Sequence, residues 1–280
     1  MLITRTWSAL VLLAVALGTV WLPPFYVQSL VAVLLLVALW EFARLLGLSC
    51  RLGMGLYAIS GLVVYLLMAG YGQNVMRYPM LLSAALIFMG TVAGYSLHTF
   101  VLDQPAMLAG KMTQVTLGVW GMLGIQMTAQ IVVWLHTTHL ALLGLLIMVV
   151  AVTDTGAYCF GRLWGKRKLA PEISPGKTWV GLYGGVATAW LAALVSLIVV
   201  HGISVDVADL ILVSVAVFIL SPASVVGDLF ESLLKRRRGI KDSSMLIPGH
   251  GGVMDRIDGF MLATPAYALM LHFYLSYLDA

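Results

Sequence analysis

The chain has 280 residues, 61% of them hydrophobic and only 10% charged, with a mean hydropathy of +0.99. That composition excludes an ordinary soluble domain and points to an all-α, polytopic membrane protein. The net charge of +4 is not read as nucleic-acid binding, because bases gathered on one side are what membrane topology demands. Cys50 and Cys159, with neither CxxC spacing nor a neighbouring histidine, exclude a disulfide scaffold and a zinc site.

Nine apolar runs are long enough to cross a bilayer, at about 7–22, 25–46, 53–71, 79–100, 112–134, 139–160, 179–200, 208–229 and 255–277. Met1 to Leu22 carries one base and an apolar core. No small-x-small cleavage site precedes Pro23-Pro24, so a retained first span is expected rather than a signal peptide. With the N-terminus in the cytoplasm, 15 of the 16 Lys and Arg residues fall on the cytoplasmic side and only Arg77 falls outside. The chain divides into N-terminal membrane helices (1–150) and a catalytic membrane region (151–280). A bacterial-type inner membrane is expected, with the N-terminus and the polar loop before the last span cytoplasmic.

In the second span, Glu41 stands three residues before Arg44, a spacing that predicts a local ion pair near the cytoplasmic end or a headgroup contact. The glycines of the third to fifth spans, Gly61, Gly121 and Gly124 among them, read as close helix packing. His98, His136, His139, His201 and His272 lack metal spacing. Asp154, near the cytoplasmic end of the sixth span, is costly in an apolar run and is expected to face protein, water or a ligand.

The loop that follows contains Ser174-Pro175-Gly176-Lys177-Thr178-Trp179. A P-loop is excluded, since Pro171 stands where that motif needs glycine. The alternative is a helix start around Pro175, with Ser174, Lys177 and Thr178 offered to phosphate. A basic topology determinant with a helix cap explains the same residues.

Ser221 to Asp258 is the most polar stretch, holding five of the 12 acids and six of the 16 bases. Asp228, Glu231 and Ser232 at i, i+3 and i+4 share a helix face, as do Asp255 and Asp258 at i and i+3. Carboxylates converging beside bases suggest Mg²⁺ with phosphate as its other ligand. Between them, Pro248-Gly249-His250-Gly251-Gly252 is a poor helix former whose backbone N–H groups suit an anion. His250 either donates to phosphate or stabilises the loop. Lys235 and Arg236 read as phosphate ligands or as topology determinants, and Arg237 and Arg238 as headgroup or solvent contacts. Together these features describe a site for phosphoryl or nucleotidyl transfer.

The run Ser232, Lys235-Arg236, Lys241-Asp242, His250-Gly251-Gly252 and Asp255-Arg256-Ile257-Asp258 resembles the signature of the phosphatidate cytidylyltransferases (CDP-diacylglycerol synthases). Gly227-Asp228-Leu229, the Ser174–Trp179 segment and the Asp154-Thr155-Gly156-Ala157-Tyr158 run are similar to the family too. Met245 and Gly259 depart from it, standing where members often carry His or Asn and Ser. The resemblance implies transfer of the cytidylyl group of CTP to phosphatidate, giving CDP-diacylglycerol and pyrophosphate. It implies catalytic roles for Asp228, Asp255, Asp258, Lys177 and His250. Asp228, Asp255, Asp258 and Glu231 would hold Mg²⁺, alone or with a second cation. Substrate contacts would come from Ser174, Thr178, Asp154, Ser232, Lys235, Arg236, Lys241, Asp242, Gly251, Gly252 and Arg256. The expected partners are CTP, phosphatidate and membrane lipid, with a homodimer left open. Rival readings are a CTP-dependent transferase acting on another lipid phosphate or a polyprenol, and an inactive or transport paralogue.

Overall fold

The computed structural model describes residues 14, 18–48, 50–70, 79–101, 110–201, 205–249 and 251–278. The expected first span lies largely outside them, and His250 lies outside them entirely. The long helices are α1 (Pro24–Leu46), α2 (Arg51–Gly70), α3 (Pro79–Val101), α4 (Lys111–Thr138), α5 (Leu140–Trp164), α6 (Trp179–His201), α7 (Val207–Arg237) and α9 (Phe260–Leu278). A single turn, α8 (Met254–Ile257), precedes α9, and a hairpin of β1 (Lys168–Ala170) and β2 (Ser174–Thr178) joins α5 to α6. Among the described residues, α1 to α7 are each long and apolar enough to cross a membrane; the protein is a multi-pass, all-α membrane protein.

Pro24 opens α1, where its missing N–H costs nothing, and Gly47 at φ 89° closes it. The helices bury two apolar clusters. One joins α1, α2, α3 and α4 to the C-terminal half of α7 and to Met254 and Met261. The other joins α4, α5 and α6 to the N-terminal half of α7 and to α9. Helix α7 therefore belongs to both. At the first cluster's centre the Trp120 ring lies between Phe42 (centroids 6.4 Å) and Phe230 (3.9 Å). Its indole N–H donates to the Met89 carbonyl at 2.8 Å.

Two spans differ from expectation. Helix α7 continues eight residues past 229 to Arg237, because Leu, Glu, Lys and Arg there are good helix formers. It stops at Gly239, φ 65°, where the Gly239 and Ile240 N–H groups bond back to Arg236 and Lys235. Thirty-one residues at about 1.5 Å each are longer than a hydrocarbon core of about 30 Å, and most charges of α7 gather in its last turns, the end suited to lie beyond the core. The last span does not start at 255: α8 ends at Ile257, and α9 begins at Phe260.

Of the glycines assigned to packing, Gly61, Gly121 and Gly124 are pressed against neighbouring side chains, whereas Gly55, Gly90 and Gly94 face open space. A closer glycine seam lies between α5 and α6, at Gly156, Gly181, Gly184 and Gly185. An alanine methyl at Gly121 would overlap the Phe42 ring, and overpacking of this kind costs about 1–3 kcal/mol. Gly121→Ala is thus expected to lower the apparent melting temperature in detergent by several degrees. Gly55→Ala, in open space, should leave it unchanged or slightly raised.

Candidate active site

The projecting end of α7 presents Asp228, Ser232, Lys235 and Arg236 to a polar pocket of about 320 Å³. Lys241 and Asp242 from the following loop, and Asp255, Arg256 and Asp258 from around α8, complete its wall. The two groups of acids that the sequence placed on separate helix faces therefore meet across one pocket. Gly227 permits this approach: a Cβ there would stand 2.5 Å from the Asp258 carbonyl oxygen.

Asp255 is held on all sides. Its Oδ2 accepts from the Gly252 N–H (2.7 Å) and the Ser243 N–H (3.0 Å) and lies 2.9 Å from the Ser243 hydroxyl oxygen, and its Oδ1 accepts from Lys235 Nζ (2.8 Å). Burial works to raise its carboxyl, but the Gly252 N–H and the Lys235 ammonium outweigh burial and hold it below the usual carboxylate range. Lys235 also pairs with Glu231, one turn earlier on α7 and 1% exposed. The Lys235 ammonium is the counter-charge of this buried carboxylate. Glu231 does not line the pocket; it sits behind Lys235 as its counter-charge.

Asp258 follows α8, and its Oδ1 accepts from the Gly259 N–H at 2.7 Å. Burial, followed by the nearby charge of Asp228, pushes its carboxyl up from 3.8 to about 7. Ser232 donates to Asp228 Oδ1 at 3.2 Å. Among the described residues no three His, Cys, Asp or Glu side chains gather closely enough to cage a metal. The hard oxygens of Asp228 and Asp258 instead suit an ion that also takes ligands from phosphate, which is the usual habit of Mg²⁺.

A larger cavity of about 620 Å³ opens on the other side of Asp228. Asp228 lines both this cavity and the polar pocket, and Lys177, on the wall of the larger cavity, pairs with it at 2.6 Å. Asp154, Arg162 and Lys168 line this cavity as well, beside apolar Leu169, Leu182 and Val225. The expected helix start around Pro175 is corrected here: Ser174 to Thr178 is strand β2, and α6 begins at Trp179. A residue preceding proline avoids helical backbone, which keeps Ser174 extended. The Thr178 hydroxyl accepts the Gly181 N–H at 3.0 Å and so caps α6, and Thr178 also lines the larger cavity. Arg236 Nε donates to the Ile173 carbonyl at 3.1 Å, tying this hairpin to α7.

Glu41 is also corrected. It does not pair with Arg44, whose guanidinium lies 5.4 Å from the Trp40 ring centroid. It is fully buried and accepts from the Ser243 and Ser244 hydroxyls and from the Val253 and Met254 N–H groups. Sequence reasoning missed this role for Glu41 and its serine partners; the available signal was a lone acid in an apolar span. Gly251, at φ 80°, and Gly252 leave no room for a Cβ, against Asp255 in the first case and against Ser243 and Glu41 in the second. Arg238 is exposed, with its guanidinium beside Gly47 at the end of α1. Met245 is 94% exposed and lies outside the pocket walls, and Gly259 backs onto Ser224.

The profile of the cytidylyltransferase family matches residues 3–274. The chain belongs to that family. It is 38% identical to the phosphatidate cytidylyltransferase of Pseudomonas aeruginosa over 288 aligned residues, covering 97% of each chain. It is 45% identical to that of Haemophilus influenzae over 148 residues, half of each chain. It is 46% identical to that of Staphylococcus saprophyticus over 124 residues, covering 44% of this chain and 46% of the relative. This cytidylyltransferase-family chain thus carries its acids and bases around a pocket built for opposed charges.

Asp258 gives a pH dependence with a definite sign. Its raised carboxyl contributes stability that is fully present below about 3.8 and lost as pH rises through about 7. Melting of the divalent-free protein across that window should show the decline in wild type and a flatter profile in Asp258→Asn. At pH 8 the variant should be the more heat-resistant of the two; a less resistant variant would contradict a burial and repulsion penalty on ionised Asp258.

Proposed function

We propose that the protein transfers the cytidylyl group of CTP to phosphatidate, releasing pyrophosphate and forming CDP-diacylglycerol, at the cytoplasmic face of a bacterial-type inner membrane. The observation that carries this reading is the polar pocket, in which Lys235, Arg236, Lys241 and Arg256 face Asp228, Asp255 and Asp258. A family-wide match and relatives named phosphatidate cytidylyltransferase support the same reaction over the alternatives of another acceptor or a transport role.

A phosphate oxygen of the lipid forms the new bond to the α-phosphorus of CTP, and the bond from that phosphorus to the β-phosphate oxygen breaks. The lipid phosphate is already ionised near pH 7, so no strong general base is needed, and the protein's work is positioning and charge neutralisation. Asp228 and Asp258 would hold Mg²⁺, and the chemistry a divalent cation supplies there is neutralisation of the triphosphate. Lys177 lines the larger cavity and is joined to Asp228, which both cavities share, within reach of the transferring phosphate. Lys235 and Arg236 face the departing pyrophosphate. Asp255, whose Oδ2 is held by two N–H groups of its own loop, orients Lys235 and adds at most its Oδ1 to a cation. The larger cavity, with its basic and apolar walls, suits a lipid phosphate whose chains stay in the bilayer.

Purified protein in mixed micelles is expected to release pyrophosphate only when CTP, phosphatidate and a divalent cation are all present. Full activity in excess chelator would remove the metal from the reading, and pyrophosphate release with no lipid acceptor would remove phosphatidate. Asp228→Asn should abolish most turnover without unfolding the protein. Lys177→Ala should lower kcat by at least tenfold, about the worth of one charged contact to a transferring phosphate.

The distribution of bases supports a cytoplasmic pocket. A reporter fused after Ala280 is expected to behave as periplasmic; a cytoplasmic signal there would reverse the assigned orientation.

A further inference from the structure

Glu41 is the only acid among the first 102 residues. It lies on α1, far in sequence from the signature, and is 0% exposed. A carboxylate so placed needs compensation, yet no lysine or arginine among the described residues forms an ion pair with it. It is instead met by four groups of the signature loop and its exit, one of which, the Ser243 hydroxyl, has a single proton to give either to Glu41 or to Asp255. The Ser244 hydroxyl (2.5 Å) and the Val253 N–H (3.3 Å) donate to Oε1. The Met254 N–H (2.7 Å) donates to Oε2, and the Ser243 hydroxyl oxygen lies 3.0 Å from it.

Ser243 links this carboxylate to the pocket. Its hydroxyl stands 3.0 Å from Glu41 Oε2 and 2.9 Å from Asp255 Oδ2, while its N–H also donates to Asp255. Gly252 is pinched between the same groups. Asp255 in turn fixes Lys235. The chain of contacts runs from a membrane helix, through one serine, to the pocket's carboxylate and ammonium.

We propose that Glu41 is a positioning residue of the active site, holding Ser243, Ser244 and the start of α8 so that Asp255 and Lys235 face the bound nucleotide. It touches no substrate. Its two oxygens accept from two backbone N–H groups, one each, which a glutamine cannot do: its single oxygen serves one, and its NH₂ meets the other donor to donor. An aspartate keeps the charge but is a methylene too short to reach. That the pocket handles nucleotide rests on the function proposed above; the holding role does not.

The test compares wild type with Glu41→Gln and Glu41→Asp in detergent, by two readouts. The first is kcat and KM for CTP in pyrophosphate release. The second is amide hydrogen exchange at residues 240–255, with the α5–α6 pair as internal reference. Glu41→Gln is expected to lower kcat roughly 10- to 100-fold, the usual cost of losing a residue that orients a site group, and to speed exchange in 240–255 while α5–α6 stays protected. Wild-type kcat in Glu41→Gln would overturn the proposal, as would unchanged exchange in 240–255, or exchange that rises equally everywhere. If Glu41→Gln does not fold, Ser243→Ala combined with Ser244→Ala keeps the carboxylate and removes its side-chain donors; wild-type kcat and exchange in that variant would equally sink the idea. Should wild type itself fail to release pyrophosphate with phosphatidate, the function reading falls, and the exchange data alone decide the role of Glu41.

Discussion

Lys235 lies between Glu231 and Asp255 at the end of α7, its side chain only 12% exposed. Removing charge from water is costly, and removing one partner of such a group leaves the others uncompensated. The local architecture follows from keeping all three satisfied. Helix α7 must run on past the membrane core to bring Lys235 clear of it. The chain must then return, through Ser243 and the glycines, to bring Asp255 within reach. Glu41 must meet that return from α1. Each requirement constrains a different part of the chain, which explains why signature residues scattered over some thirty positions act as one unit.

The second ion pair, Lys177 with Asp228, has a different character. It is more exposed, with side chains at 22% and 30%, and joins the hairpin to α7 where the two cavities meet. In the absence of ligand, acids and bases of this site neutralise one another. A nucleotide arriving with its cation can exchange these internal pairs for external ones, carboxylate to cation and ammonium to phosphate, with little change in net charge. The elevated Asp258 carboxyl comes first from burial and then from the neighbouring charge of Asp228.

The hairpin between α5 and α6 shows how a plausible local reading fails. Ser174, Lys177 and Thr178 carry the residue types of an anion-binding helix start, and Thr178 does cap a helix. Pro175, however, holds the segment extended, and β1 pairs with it. Lys177 thereby reaches Asp228 from a strand. Arg236 fastens the hairpin's turn to α7, a bond between residues 63 apart that no local pattern predicts.

Much of the architecture was legible because a bilayer imposes simple rules on sequence. Apolar run length marked the positions of α1 to α7 within a few residues at most ends, and the i, i+3, i+4 spacing marked which acids share a face. The local signature, Ser232 through Asp258, marked the family and most of the pocket wall. What sequence could not decide were contacts between residues distant in the chain. Glu41 looked like the partner of its neighbour Arg44, because helix spacing speaks only of neighbours. Its burial against Ser243, Ser244 and α8, more than 200 residues away, exists only once α1 packs beside the end of α7. Glu231 likewise looked like a pocket ligand, and only packing turned it behind Lys235. The bilayer rules and local spacing are properties of the chain itself; which carboxylate faces the ligand and which supports from behind depends on desolvation, and desolvation is decided by tertiary structure.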